Sequence, residues 1–380
     1  MERTATAWLA LEVGGGAVAI GLIFAARMLP SLLFGLLAGT IADRADRPRQ
    51  LLAVAWSSLI LMVAMRWLIG VGQLQVWQII AFSFAAGSLH VFDIPARQAL
   101  VLDTVPKEAA LRALALIALA SRFAAALGAL GAGMLIPRFG VAGCYLVVAV
   151  AYGLTALLAG TLRVVQEHRL VARAPFSAAF RDAVRLMLDL PAIRTLIIAG
   201  VACEIFAFSH MSALPLFAKD VLATGAEGLG TMNAAVAIGG ALAVSLLSLL
   251  PNRGSRQPLL GAIFLVYGMA ILVLAATRSV VAAAVVLLVI GFCAAAFDVL
   301  QQTLIQMAVP DALRGRAVGI WSFSLGSAPI GHLEMGALIA ALGVPSALLI
   351  NAVLTLVSAA LLLVRAPAYR WTPWARSQPS

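Results

Sequence analysis

Long apolar runs alternate with short polar breaks along almost the whole chain, and the runs are close to one length. Bounded by charges or by Gly and Pro, they fall at 17–41, 51–71, 76–96, 113–137, 141–162, 194–218, 227–250, 258–277, 280–301, 317–341 and 345–364. Each holds about 20 residues, the number an α-helix needs to cross ~30 Å of hydrocarbon. The pattern therefore predicts an all-α polytopic membrane protein with eleven complete spans.

The polar breaks divide by charge. Alternate loops carry Arg44, Arg47, Arg49, Arg97, Lys107, Arg112, Arg163, Arg169, Arg173, Arg181, Arg185, Arg194, Arg253, Arg256, Arg314, Arg316, Arg365, Arg370 and Arg376; the others carry only Arg138, Lys219 and Arg278. Loops rich in Lys and Arg stay in the cytoplasm, so the first set is expected inside, together with the C-terminus. Counting back from the loop at 43–50, the 17–41 helix starts outside and Gly14-Gly15-Gly16 forms an external turn. Thr4 to Val13 then supply only ~15 Å of an earlier helix, about half a bilayer. Met1, Glu2 and Arg3 fall near the midplane, where lipid exposure is costly. The expectation is a first helix truncated by about 20–25 residues at a misassigned start, or else a stub shielded from lipid by its neighbours.

Composition agrees and excludes other classes. The 380 residues are 63% hydrophobic and 11% charged, against about 25% charged in soluble domains. The spans use nearly the whole chain, leaving no room for a soluble catalytic or nucleic-acid-binding domain. The net charge of +10 is loop charge, not a nucleic-acid footprint. HExxH, GxSxG and Walker motifs are absent, which argues against an enzyme, a metal or cofactor, and ATP hydrolysis. Cys144, Cys203 and Cys293 lie in apolar runs without CxxC spacing and read as inert thiols.

The two parts of the chain are related. Phe92-Asp93-Ile94 recurs as Phe297-Asp298-Val299, and Val105-Pro106 with Arg112-Ala113 recurs as Val309-Pro310 with Arg316-Ala317. Gly133-x-Leu135-Ile136-x-x-x-Gly140-Val141 recurs as Gly336-x-Leu338-Ile339-x-x-x-Gly343-Val344. This duplication predicts a first bundle at 1–162, a cytoplasmic linker at 163–193, a second bundle at 194–364 and a cytoplasmic tail at 365–380. The linker's Phe176, Phe180, Val184 and Leu188 recur every four residues among charges, as on an amphipathic segment at a membrane surface. Parallel six-helix repeats with a site between them describe the major-facilitator architecture.

Local motifs carry a family resemblance. Gly39-Thr40-Ile41-Ala42-Asp43-Arg44-Ala45-Asp46-Arg47-Pro48-Arg49 resembles the signature Gly-x-x-x-Asp-Arg-x-Gly-Arg-Arg/Lys of the major facilitator superfamily, with Asp46 in place of the second glycine. Ala96-Arg97-Gln98-Ala99-Leu100, Val105-Pro106, Val309-Pro310 and Arg314-Gly315-Arg316 are similar to the branch of bacterial drug and siderophore exporters that includes the enterobactin exporter and macrolide efflux proteins. The resemblance implies that the signature loop latches the outward-open state, with Arg97 a natural partner for Asp43. It also implies that Gly128, Gly131 and Gly133, and their counterparts Gly326, Pro329 and Gly331, stand where antiporters bring helices close together. Only the second set keeps the proline.

Ionisable residues inside membrane spans are costly and usually mark a pathway. Arg66 and Glu12 sit near helix ends and read as rim residues. Arg27, Arg122, Glu204 and Glu334 fall near mid-depth. Arg27 and Glu334 differ in depth by only ~5 Å, on helices that face each other in the resembled fold, so they are expected to pair across the interface and to couple a proton to its opening. Glu204 is expected to face the cavity, with His210 and His332 as relay candidates. His90, Asp93 and Arg97 share one face of their helix and, with Asp298, read as a cytoplasmic gate. The function expected is secondary export of a small amphiphilic molecule by alternating access, with protons as coupling ion, membrane lipids as surroundings and a monomer as the working unit. Import of a small metabolite on the same fold is the alternative.

Overall fold

The computed structural model describes residues 1–44, 46–106, 109–161, 190–249, 256–309, 321 and 324–365; within these, the side chains of 36, 39, 40, 42–44, 111 and 365 are not described. The linker from 162 to 189, the motif at 310–320 and the tail from 366 therefore lie outside the described residues.

Every element among the described residues is helical. The order is α1 (Glu2–Glu12), α2 (Ala17–Arg44), α3 (Arg47–Val71), α4 (Val76–Thr104), α5 (Ala110–Thr161), α6 (Pro191–Ala202), α7 (His210–Leu216), α8 (Gly225–Leu249), α9 (Gln257–Ala276), α10 (Val280–Met307), α11 (Ala328–Leu342) and α12 (Val344–Arg365). Local signals set the ends. Asp46 accepts from the Arg49 amide 3.2 Å away and caps α3, Pro48 stands in that helix's first turn, and Gly72 closes it with φ 73°. Among the described residues, nine stretches are long and apolar enough to cross a membrane. One of them, in α5, holds the two spans expected at 113–137 and 141–162, joined at Gly140 (φ 66°, ψ 175°). Gly343, its counterpart in the repeat, takes nearly the same conformation (φ 80°, ψ 166°) between α11 and α12. Positive φ is open to glycine at little cost, so the duplication is visible in the backbone.

The span expected at 194–218 is not one regular helix. α6 leads into a π-turn at Cys203–Ala207, α7 follows, and a second π-turn covers Phe217–Val221. A π-turn inserts an extra residue and shifts the helix face, a deformation common at functional sites.

Two glycine crossings join the early and late helices. At the first, α2 meets α11: a methyl group added to Gly21 would stand 2.6 Å from the His332 carbonyl oxygen, and one added to Gly336 would stand 2.9 Å from that of Ala17. At the second, α5 meets α8: a methyl at Gly230 would lie 2.7 Å from the Ala129 oxygen and 2.8 Å from the Gly133 Cα. Gly133 and Gly336 are equivalent in the duplication, so the crossings form a related pair. Both lie toward the end of the bundle marked by Gly14, Gly140 and Gly343.

On α5 and α8, burial falls away toward the other end, where the basic loops lie. On α5 the buried positions begin at Ala126, and none occurs from 112 to 125. On α8 the last buried position is Ala243. The crossings are thus tight at the Gly14 end and α5 and α8 lose cover toward the basic end, while Leu304 and Ile305 of α10, and Val309 just beyond it, stay buried there.

Candidate central charged layer

At mid-depth the first turn of α1 fits between α2 and α5. Glu2 forms an ion pair with Arg27, and the two side chains are only 12% and 13% exposed. Met1 lies against Gly128 and Gly131 on α5, where added methyl groups would come within 2.7 and 2.8 Å of it. The start of the chain is therefore shielded by its neighbours.

This arrangement corrects the expected Arg27–Glu334 pair. Arg27 is bound to Glu2, while Glu334 accepts from Asn351 Nδ2 of α12 at 3.0 Å. Matching depth along two helices leaves the angle about each axis open, and α11 turns Glu334 toward α12. The residue that faces α2 is His332, whose ring lies 5.4 Å from that of Phe24.

Arg27 and Glu2 share a cavity of about 30 Å³ with Ser58, His90, Asp93 and Tyr152, room for about one water molecule. His90 and Asp93, read from the sequence as gate residues, thus belong with Arg27. Arg97 pairs with Asp93 one turn away, and Arg47 pairs with Asp103. Gln50 Nε2 donates to the Phe92 carbonyl at 3.1 Å, tying α3 to α4. The side chains of Gly39, Asp43 and Arg44 in the signature loop lie outside the described residues.

A second group spans the interface between early and late helices. Arg122 of α5 reaches α8, where a methyl at Gly240 would stand 2.8 Å from one guanidinium nitrogen. Its charge acts on Asp298 of α10, and Asp298 in turn interacts electrostatically with Glu204. Glu204 is buried on the first π-turn. Gly331 of α11 lets that turn pack closely: a methyl there would stand 2.9 Å from the Glu204 carbonyl oxygen. Pro329 occupies the first turn of α11 and Gly326 the turn just before it.

The broken span carries a polar network in which His210 and His332, the expected relay candidates, meet Ser212, Tyr267 and the Ala207 carbonyl. His210 Nδ1 lies 2.7 Å from the Ala207 carbonyl and 3.4 Å from the Tyr267 hydroxyl. His332 Nδ1 lies 3.2 Å from Ser212 Oγ. Asn351 donates 3.0 Å bonds to both Ser209 and Glu334. The two histidines are thus held by hydroxyls and a carbonyl, and among the described residues neither bonds Glu204. Asn351 is the one amide in the apolar run 345–364, a signal that the sequence offers; Ser209 and Ser212 have no comparable one. No group of His, Cys, Asp or Glu among the described residues could hold a metal ion, and the three cysteines are buried and free.

The whole chain has known relatives. Residues 1–373 match the model of the MFS_3 family, described as transmembrane secretion effector. A staphyloferrin A transporter of Staphylococcus aureus is 25% identical over 86% of this chain and 82% of its own. Among solved structures, a bacterial homologue of the human lysosomal transporter Spinster, inward-facing and unoccupied, superposes with TM-score 0.73 at 14% identity, covering 98% of this chain and 94% of the other. The nucleoside transporter NupG gives 0.72 at 12% identity, over 95% and 93%. The structural likenesses establish the fold, and the family match covers nearly every residue. The chain belongs to the transmembrane secretion effectors of the major facilitator superfamily and is a multi-pass membrane transporter, not an enzyme.

Proposed function

We propose that the protein is a secondary active exporter of small amphiphilic molecules, of the drug or siderophore type, driven by proton antiport in a bacterial inner membrane. The units that move against each other are residues 1–162 and 194–364, and the glycine crossings are the contacts that part. The observation that carries this reading is a layer of charged side chains from both parts, at the closed end of a cleft open toward the basic loops. With those loops and the C-terminus in the cytoplasm, substrate enters the cleft from inside. The likeness to a staphyloferrin A transporter supports a small-molecule cargo.

Glu204 is the proton carrier in this reading. It is buried, belongs to a deformable π-turn and lies beside Asp298, which also feels Arg122. Protonation removes one of two neighbouring negative charges and loosens the hold on Arg122. Glu204→Gln is therefore expected to keep substrate binding while losing the response of transport to an imposed pH gradient. Dye movement into proteoliposomes, with and without a gradient, checks this. Undiminished gradient dependence in the variant rules Glu204 out, and faster uptake by intact expressing cells would make the protein an importer.

A further inference from the structure

We propose that Arg3 is a substrate anchor, a guanidinium in the central cleft that holds the anionic group of an amphiphilic cargo. The first turn of α1 is enclosed on several sides. Glu2 is tied to Arg27 of α2, Met1 abuts Gly128 and Gly131 of α5, and Asn233 Nδ2 of α8 lies 3.4 Å from Thr4 Oγ1. Thr4, Ala5, Thr6 and Ala7 are all buried. Arg3, in the midst of these, is exposed.

That exposure is to the cleft. The charge of Arg3 acts on Glu2, Arg27 and Arg122, on His90 of α4 and on His332 of α11. These groups surround it from four helices besides its own, drawn from both parts of the chain, so Arg3 faces the space between them rather than lipid.

Its charge is also left over. Among the described residues no carboxylate lies within ion-pair distance of Arg3: Glu2 is engaged by Arg27, and Arg122 is the cation that acts on Asp298. An accessible guanidinium with five donors in a planar fork binds a carboxylate, sulfonate or phosphate through paired, charge-assisted hydrogen bonds. The substrate class is accordingly an apolar body bearing at least one such anion. The assignment rests on the cleft being the cargo site, but its test reads binding alone, so failed transport and a failed anchor give different results.

The probes are two xanthene dyes of similar body and opposite charge, anionic fluorescein and cationic rhodamine 6G. Each is titrated by fluorescence polarisation against the detergent-solubilised full chain. Wild type is expected to bind fluorescein, Arg3→Gln to bind it about tenfold more weakly, and Arg3→Lys to lie between. Rhodamine 6G binding should not weaken in Arg3→Gln, which also shows that the variant is folded. A measurement on the unaltered protein stands beside this: fluorescein should protect Arg3, but not Arg66, from phenylglyoxal, as mapped by peptide mass spectrometry. Equal fluorescein affinity in wild type and Arg3→Gln, a wild type that binds no fluorescein, or modification of Arg3 unchanged by the dye would each overturn the proposal.

Discussion

Gly230→Val is expected to hold the bundle open at its Gly14 end and to abolish net transport. The first carbon of the new side chain would stand 2.7 Å from the Ala129 oxygen and 2.8 Å from the Gly133 Cα, and both are backbone atoms that cannot rotate aside. Overpacking of this kind costs about 1–3 kcal/mol, charged only to the state in which α5 and α8 touch. That shifts the balance between closed and open ends by about fivefold to 150-fold. Ala17→Cys at the neighbouring crossing reports the change, because the native cysteines are buried. A membrane-impermeant maleimide applied from outside should label it at least about fivefold faster when Gly230→Val is present. Gly336→Val, at the duplicated crossing, should act in the same direction. Unchanged labelling with normal transport would mean that the crossings are not the seal.

Arg27→Gln should be among the most destabilising single changes in the bundle. It leaves the Glu2 carboxylate buried without its cation, a loss that costs about 3–5 kcal/mol when one partner of a buried pair is removed. Adding Glu2→Gln should recover much of the loss in the detergent melting midpoint, since a neutral pair no longer carries a stranded charge. The same cycle with Glu334→Gln should be additive, because Glu334 answers to Asn351 on α12 and shares no partner with Arg27. Coupling of Arg27 to Glu334, with none to Glu2, would restore the pairing expected from depth alone.

That contrast shows which parts of the molecule could be read in the sequence. Span positions were legible because hydrocarbon thickness fixes helix length and the breaks are marked by charge or by Gly and Pro. Ala17–Arg44 and Val344–Arg365 extend only a few residues past the expected 17–41 and 345–364. The duplication was legible too, and it marked Gly133 and Gly336 before their contacts were known. Depth along a helix is a count of residues and can be read from the sequence. Azimuth is set by packing against several neighbours at once, which is why Glu334 was turned the wrong way. The π-turns add a further rotation with no sequence mark, so Ser209 and Ser212 could not be assigned a face. For the first turn of α1 the sequence left two outcomes open, and the packing of Met1 on α5 and the Glu2–Arg27 pair match the shielded one.

The most direct test of the account is transport into inside-out vesicles made from expressing cells, with an acid interior and fluorescein added outside. The dye should accumulate above the level of vesicles lacking the protein, and a protonophore should release it. Accumulation equal to that of the empty vesicles, or accumulation indifferent to the protonophore, would contradict proton-driven export.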